Sequence, residues 1–202
     1  AREPLTTPSA EPNPAISVII PCYNEGKHLE RGVLDEVHDY LTSQDYAWEV
    51  IVVDDGSTDG SRELVERSIA NKPGFSQIEM PHAGKPAAIK AGLHHAAGEI
   101  VVFTDMDQST PINQIEALLP AYDEGFDVVI GSRGTAREGS SLVRKLGSFV
   151  FSTTRRLLIL RRIHDTQCGF KSMRRSVALE VFPRLQFFDQ SGQSAGWKVS
   201  AY

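Results

Sequence analysis

Short, uniformly apolar segments alternate with segments of helical periodicity along most of this chain, and this alternation constrains the fold more than any other feature. Residues 16–20, 48–53, 76–80, 101–103 and 126–131 are interpreted as strands. Between them apolar side chains recur at helical spacing, as from Leu29 to Leu41 and over residues 112–124. Strands without a polar face are typical of a parallel sheet covered on both sides. We therefore predict a single α/β domain, a mostly parallel sheet with helices on both faces.

Acidic side chains follow three of these predicted strands. Glu25 comes after the first strand, Asp54 and Asp55 end the second, and Asp105 follows Val101–Phe103. Because the carboxyl ends of parallel strands lie at one edge of a sheet, these loops are expected to converge on one crevice.

The segment Asp105-Met106-Asp107 is the strongest candidate for a metal site. Side chains two residues apart in an extended segment share a face, so both carboxylates can meet one ligand. Carboxylate oxygens suit a hard cation, Mg²⁺ or Mn²⁺, that keeps positions free for a substrate diphosphate. The alternative is a surface turn in which both aspartates are merely solvated.

The net charge of −5 hides an asymmetry along the chain. Residues 1–132 contain 8 Lys and Arg against 22 Asp and Glu, whereas residues 133–175 contain 11 against 2. This basic block favours a phosphate-bearing ligand or an anionic membrane surface as partner, with a solvated basic face as the alternative. No nucleic-acid partner is expected. Within it, residues 142–162 are interpreted as a basic amphipathic helix at a membrane interface. A core helix with a solvated basic face is the alternative.

The remaining composition bounds the location and the ends of the domain. The longest near-continuous apolar run, Leu157–Leu160, is far short of a membrane span, and two cysteines are too few for a disulfide framework. We therefore expect reduced thiols and a cytoplasmic protein, peripheral on the cytosolic face of a membrane. Residues 1–14 are interpreted as a disordered, proline-rich tail, 15–182 as the folded domain, and 183–202 as a truncated or flexible segment.

Three motifs in this order resemble the family-2 glycosyltransferases of the GT-A fold. They are Ser17–Pro21 with Tyr23-Asn24-Glu25, then Val52–Asp59, then Asp105-Met106-Asp107. The resemblance covers residues 15–182 and implies a Rossmann-like GT-A domain and a metal-dependent hexosyltransferase. Two later motifs, Gly131–Arg133 and Asp165–Lys171, are similar to the dolichyl-phosphate glucosyltransferase and mannosyltransferase group.

The resemblance also implies residue roles. Asp105 and Asp107 would hold the metal, and Asp107, Arg133 and Arg144 would act in catalysis, the arginines on the donor diphosphate or the acceptor phosphate. The implied substrate-binding residues are Pro21, Tyr23, Glu25, Val53, Asp55 and Asp105, and Lys85 and Met106 are further candidates for substrate binding. Lys85 also begins a predicted helix after Gly84, a position that suits a phosphate.

The expected reaction is an inverting transfer of a hexose from a nucleotide sugar, UDP-glucose or GDP-mannose, to a polyprenyl phosphate of the dolichyl or undecaprenyl type. Two alternatives stay open. One is a transferase acting on a saccharide hydroxyl, and the other is an inactive module that only binds a nucleotide sugar.

Overall fold

A computed structural model describes residues 14–131 and 169–184. The strands are β1 (Ile16–Cys22), β2 (Trp48–Asp54), β3 (Phe75–Glu79), β4 (Ile100–Phe103), β5 (Val128–Ile130) and β6 (Lys171–Arg174). The α-helices are α1 (Gly26–Glu30), α2 (Val33–Thr42), α3 (Ser61–Ile69), α4 (Lys85–His95), α5 (Ile115–Leu118), α6 (Pro120–Asp123) and α7 (Arg175–Val181). Short 3₁₀ helices cover Ile112–Gln114 and Phe182–Arg184.

The strands form one six-stranded sheet in the order β3-β2-β1-β4-β6-β5. β1 pairs in parallel with β2 and β4, and β2 pairs in parallel with β3. β6 pairs antiparallel with β4 and β5. The predicted mostly parallel sheet is confirmed, and the carboxyl ends of β1, β2, β4 and β5 lie at one edge.

Two apolar clusters cover the two faces of the sheet. One cluster joins the residues on one face of β1 and β2 to α1, α2, α3 and α5. Its residues Val18, Leu34 and Ile115 are fully buried. The other joins the opposite faces of the same strands to α4 and α7 and contains Ile19 and Leu93. Residues of β1 therefore alternate between the two clusters, as the geometry of a strand requires.

One sequence expectation about local structure was wrong, and one strand was missed. The periodic segment from Leu29 to Leu41 forms two helices, because Gly32 adopts φ +85° and breaks the helix between them. Strand β6 was not predicted. It is short and mixed in polarity, and its buried polar residue Ser172 is satisfied by the Tyr122 hydroxyl, which donates to it at 2.7 Å.

Several expectations fall on residues that the structure does not describe. They concern Arg133, Arg144, Cys168, the segment 142–162 and the proline-rich tail over residues 1–13. Among the helices of residues 14–131 and 169–184, none is both long and apolar enough to cross a bilayer.

Candidate functional site

The loops that follow β1 and β2 are fastened to each other. Consecutive backbone N–H groups of Asn24–Gly26 donate to Ser57 Oγ at 3.1 Å, Ser61 Oγ at 2.8 Å and Asp59 Oδ2 at 3.3 Å. Asp59 Oδ1 also accepts from the Ser61 backbone N–H at 3.0 Å and from its hydroxyl, whose hydrogen bond lowers the pKa of the Asp59 carboxyl. Asp59 therefore binds the first residue of α3, Ser61, from one position before the N-cap residue Gly60.

The adjacent aspartates at the end of β2 have different partners. Asp54 Oδ2 accepts from the Ser57 N–H at 3.2 Å and so holds the turn. Asp55 is 2% exposed, and its two oxygens accept from the backbone N–H groups of Ala83 at 2.8 Å and Gly84 at 2.9 Å. The Asp55 carboxylate thus fixes the loop that leads into α4.

His82, in this same loop, was missed by sequence reasoning. Its Nδ1 lies 3.0 Å from the Asp55 carbonyl oxygen and 3.0 Å from Asp55 Oδ2. Its ring stacks on Tyr23 with 4.1 Å between centroids, and Tyr23 is 43% exposed. A histidine two residues before Gly84 carries no pattern of its own, so only the folded loop brings it to the crevice.

Helix α4 starts where this loop ends, and it presents Lys85 to the carboxyl end of β4. The Lys85 ammonium group pairs with Asp105 Oδ1. Asp107 is exposed, and its Oδ1 accepts from the Ser109 N–H at 2.8 Å. Two positions predicted from separate motifs, Lys85 and Asp105, are therefore in direct contact.

Electrostatics link the β1 loop to the two aspartates. Burial is the largest cause that raises the pKa of the Glu25 carboxyl above its ordinary value, and the charges of Asp107 and Asp105 raise it further. His28, 3.6 Å from Glu25, acts in the opposite direction. The negative charges of Asp105 and Asp107 therefore act on the Glu25 carboxyl across the edge of the sheet.

Three other residues that were predicted to bind substrate have buried or half-buried side chains. Val53 and Met106 are 0% and 1% exposed and pack in the two apolar clusters, so only their backbone groups face the edge of the sheet. Pro21 is half-buried in β1. Beside it, burial and the charge of Asp54 raise the pKa of the free Cys22 thiol to about 12, so this thiol is no nucleophile.

A cleft of about 460 Å³ opens beside Asp107, between the α1–α2 region and the segment that follows β4. Its lining includes Arg31, Tyr40, Gln108 and Asn113. Arg31 reaches across to the backbone carbonyl of Asp107 at 3.5 Å. The cleft is therefore lined by polar side chains next to the exposed Asp107.

The donor atoms at the end of β4 fit a divalent cation that takes further ligands from a substrate. No group of three His, Cys, Asp or Glu side chains that could hold a metal ion occurs in the described part of the chain. Asp105 and Asp107 alone supply two carboxylates, which suits Mg²⁺ or Mn²⁺ completed by phosphate oxygens and water better than an all-protein cage.

Solved structures share this architecture. A mannosyltransferase from Pyrobaculum calidifontis, in complex with GDP-mannose and Mn²⁺, superposes with a TM-score of 0.59 at 25% identity, over 88% of this chain and 50% of that one. Glucosyl-3-phosphoglycerate synthase from Mycobacterium tuberculosis superposes with a TM-score of 0.59 at 24% identity, over 81% of this chain and 57% of that one. The fold is that of the GT-A glycosyltransferases.

The chain belongs to glycosyl transferase family 2, whose family model matches residues 17–182. It is 33% identical over 183 residues to dolichyl-phosphate beta-glucosyltransferase ALG5A of Trichomonas vaginalis, covering 83% of this chain and 55% of the relative. It is 33% identical over 172 residues to the undecaprenyl-phosphate 4-deoxy-4-formamido-L-arabinose transferase of Salmonella choleraesuis, covering 83% and 51%. The chain thus spans about half the length of the curated relatives it matches.

Proposed function

We propose that this protein is a metal-dependent glycosyltransferase that moves a hexose from a nucleotide sugar to a polyprenyl phosphate, with inversion at the anomeric carbon. The observation that carries the proposal is the contact between Lys85 and Asp105 at the carboxyl end of β4, two residues before the exposed Asp107. Relatives named for dolichyl-phosphate and undecaprenyl-phosphate transfer support the acceptor class.

The nucleoside of the donor would lie over the β1 and β2 loops. Tyr23 offers an exposed ring, and Asp55 holds the backbone of the adjacent loop through two hydrogen bonds. The predicted hydrogen bond from a ring N–H of the base to Asp55 stays a prediction, with His82 as a second polar group at the same position. UDP-glucose and GDP-mannose both remain candidate donors.

The diphosphate would lie at the end of β4. Asp105 and Asp107 would hold Mg²⁺ or Mn²⁺, which when bound offsets the charge that develops on the departing diphosphate. Lys85 places an ammonium group at this same point and can pair with a phosphate oxygen once Asp105 turns to another ligand. Arg133 and Arg144 are proposed to bind the diphosphate or the acceptor phosphate.

A phosphate acceptor would not require a strong general base in the protein. A phosphate monoester has a second pKa near ~6 and is largely ionised at neutral pH, so attack needs no strong general base. A hydroxyl acceptor would need a base within hydrogen-bond reach. We propose that the protein works at the cytosolic face of a membrane, where the basic residues of 133–175 would meet anionic lipid.

A transfer assay tests the proposal. The protein is incubated with radiolabelled UDP-glucose or GDP-mannose, Mn²⁺, and either dolichyl phosphate in detergent or a panel of soluble saccharides. We expect labelled lipid product with one of the two donors, and none with Asp107→Asn. Lys90→Gln, a change on the same helix as Lys85, serves as the control that keeps activity.

Product on saccharides alone would assign the acceptor to a hydroxyl. Binding of the nucleotide sugar without transfer to either acceptor class would favour an inactive binding module. Both results would overturn the proposed acceptor.

A further inference from the structure

The backbone of Gly169 lies directly against the Asp105 carboxylate. A Cβ atom built on Gly169 would overlap with Asp105 Oδ2 and come within 2.8 Å of Asp105 Cγ. On its other side Asp105 is held by the Lys85 ammonium group. The carboxylate is therefore confined between a cation and a residue without a side chain.

Backbone conformation does not explain the glycine at this position. Six described glycines adopt positive φ, a conformation that favours glycine, and Gly169 is not among them. The Cβ atom of an alanine at this position would meet the carboxylate of Asp105.

Gly169 cannot readily move away from Asp105. The next residue, Phe170, is 1% exposed in the apolar cluster, and its carbonyl oxygen accepts from the Gly131 N–H at 3.0 Å. Lys171 then starts β6, which pairs with β4 in the register Phe103 to Lys171. A side chain at position 169 would therefore displace the more mobile partner, the half-buried side chain of Asp105.

We propose that Gly169 is a positioning residue that sets the orientation of Asp105 for metal binding. The inference rests on the proposed function, because it takes Asp105 as a metal ligand. It adds a requirement that the Asp-x-Asp motif does not contain: the ligand orientation depends on a residue 64 positions further along the chain, delivered by the antiparallel strand β6.

The first test measures Mn²⁺ binding to the full chain by electron paramagnetic resonance of free Mn²⁺, with UDP or GDP present. Gly169→Ala is expected to weaken Mn²⁺ affinity by about 10- to 100-fold, the range typical of changes that misorient a metal ligand. Gly125→Ala is the matched control. Gly125 has φ +87° and open space around it, so alanine there strains the backbone without touching Asp105, and Mn²⁺ affinity should stay unchanged.

The second test is a thermal-unfolding cycle without metal, which reports the contact itself. Gly169→Ala should lower the unfolding midpoint in the unaltered chain, and this loss should disappear in the Asp105→Ala background, where the overlapping atoms are absent. Such non-additivity is the signature of two residues in contact.

The inference is overturned if Gly169→Ala binds Mn²⁺ as tightly as the unaltered chain. It is also overturned if the substitution lowers the midpoint equally in both backgrounds. Failure of the unaltered chain to bind Mn²⁺ with either nucleotide would count against the proposed function instead, while the unfolding cycle would still decide whether Gly169 acts on Asp105.

Discussion

Two neighbouring parts of the same sheet edge are held together by different forces. In the β1–β2 rim (residues 22–26, 54–61 and 82–84), backbone N–H groups donate to side-chain oxygens of a neighbouring loop. In the β4–β6 rim (Lys85, residues 104–109 and 169–171), charged side chains face one another and remain partly exposed. Hydrogen bonds to side-chain oxygens dominate the first rim, and the partly exposed Lys85–Asp105 ion pair distinguishes the second.

This difference indicates that the two rims have different roles. A buried acceptor such as Asp55 is expensive to remove, because backbone donors that lose it are left unsatisfied. An ion pair with partners 49% and 32% exposed, as between Lys85 and Asp105, contributes little to stability and can exchange for a ligand. The β1–β2 rim is therefore suited to holding a fixed shape, and the β4–β6 rim to exchanging partners when a charged ligand binds.

The largest expected effect is a difference in the free energy of unfolding between variants of the two rims. Asp55→Ala should lower the free energy of unfolding by about 3 kcal/mol, since the N–H groups of Ala83 and Gly84 lose their acceptor. Asp105→Ala, the matched change in the other rim, should cost no more than about 1 kcal/mol, because it removes only a partly exposed ion pair. Urea denaturation followed by circular dichroism measures both.

Equal losses in the two variants would show that the two rims contribute alike to stability. Asp55→Asn should give an intermediate loss, because an amide keeps one acceptor oxygen for two donors.

The second prediction concerns ligand affinity. Lys85→Met keeps the length of the stem but removes the charge, and it should weaken the binding of UDP with Mn²⁺ by about 10-fold, equivalent to about 1.4 kcal/mol. Stability should change by less than about 1 kcal/mol, because the lysine is 49% exposed. Isothermal titration calorimetry gives the affinity, and Lys90→Met on the same helix should leave it unchanged. A large loss of stability with unchanged affinity would show that Lys85 maintains structure, as the residues of the β1–β2 rim do.

The smallest effect is a pH dependence at Glu25, where the two rims meet. Its pKa is raised in the folded state, so the folded chain favours the protonated carboxyl, and stability falls as pH rises from the ordinary carboxyl range through the raised pKa. Glu25→Gln should therefore be more stable than the unaltered chain at neutral pH, and the gain should shrink as the pH is lowered. Urea midpoints at several pH values measure it, with exposed Glu30→Gln as control. A gain that grows toward low pH would contradict the charge cluster.

The parallel half of the fold could be predicted from sequence because its strands carry a local signal. The apolar segments around Val18, Val50 and Val102 are long and uniform, and each became a buried strand. β6 has no such signal, since Lys171–Arg174 gains its place only by pairing with β4 and β5. The break at Gly32 was missed because apolar periodicity continues across it.

The position of Asp105 and Asp107 directly after a buried strand could be predicted, because their motif adjoins an apolar segment. A residue was not predictable where its role depends on contacts from elsewhere in the chain. His82 reaches the crevice through hydrogen bonds around Asp55, and Gly169 reaches Asp105 through strand pairing. Conversely, Val53 and Met106 lie within motifs, but their side chains belong to the core.

We propose that acidic side chains from separate loops surround one cation that holds a diphosphate. Calorimetric titration of UDP-glucose and GDP-mannose into the chain, with and without Mn²⁺, and into Asp107→Ala tests this proposal. We expect one nucleotide sugar to bind only when Mn²⁺ is present and Asp107→Ala to abolish this binding. Binding that is equally strong without Mn²⁺ and survives Asp107→Ala would contradict it.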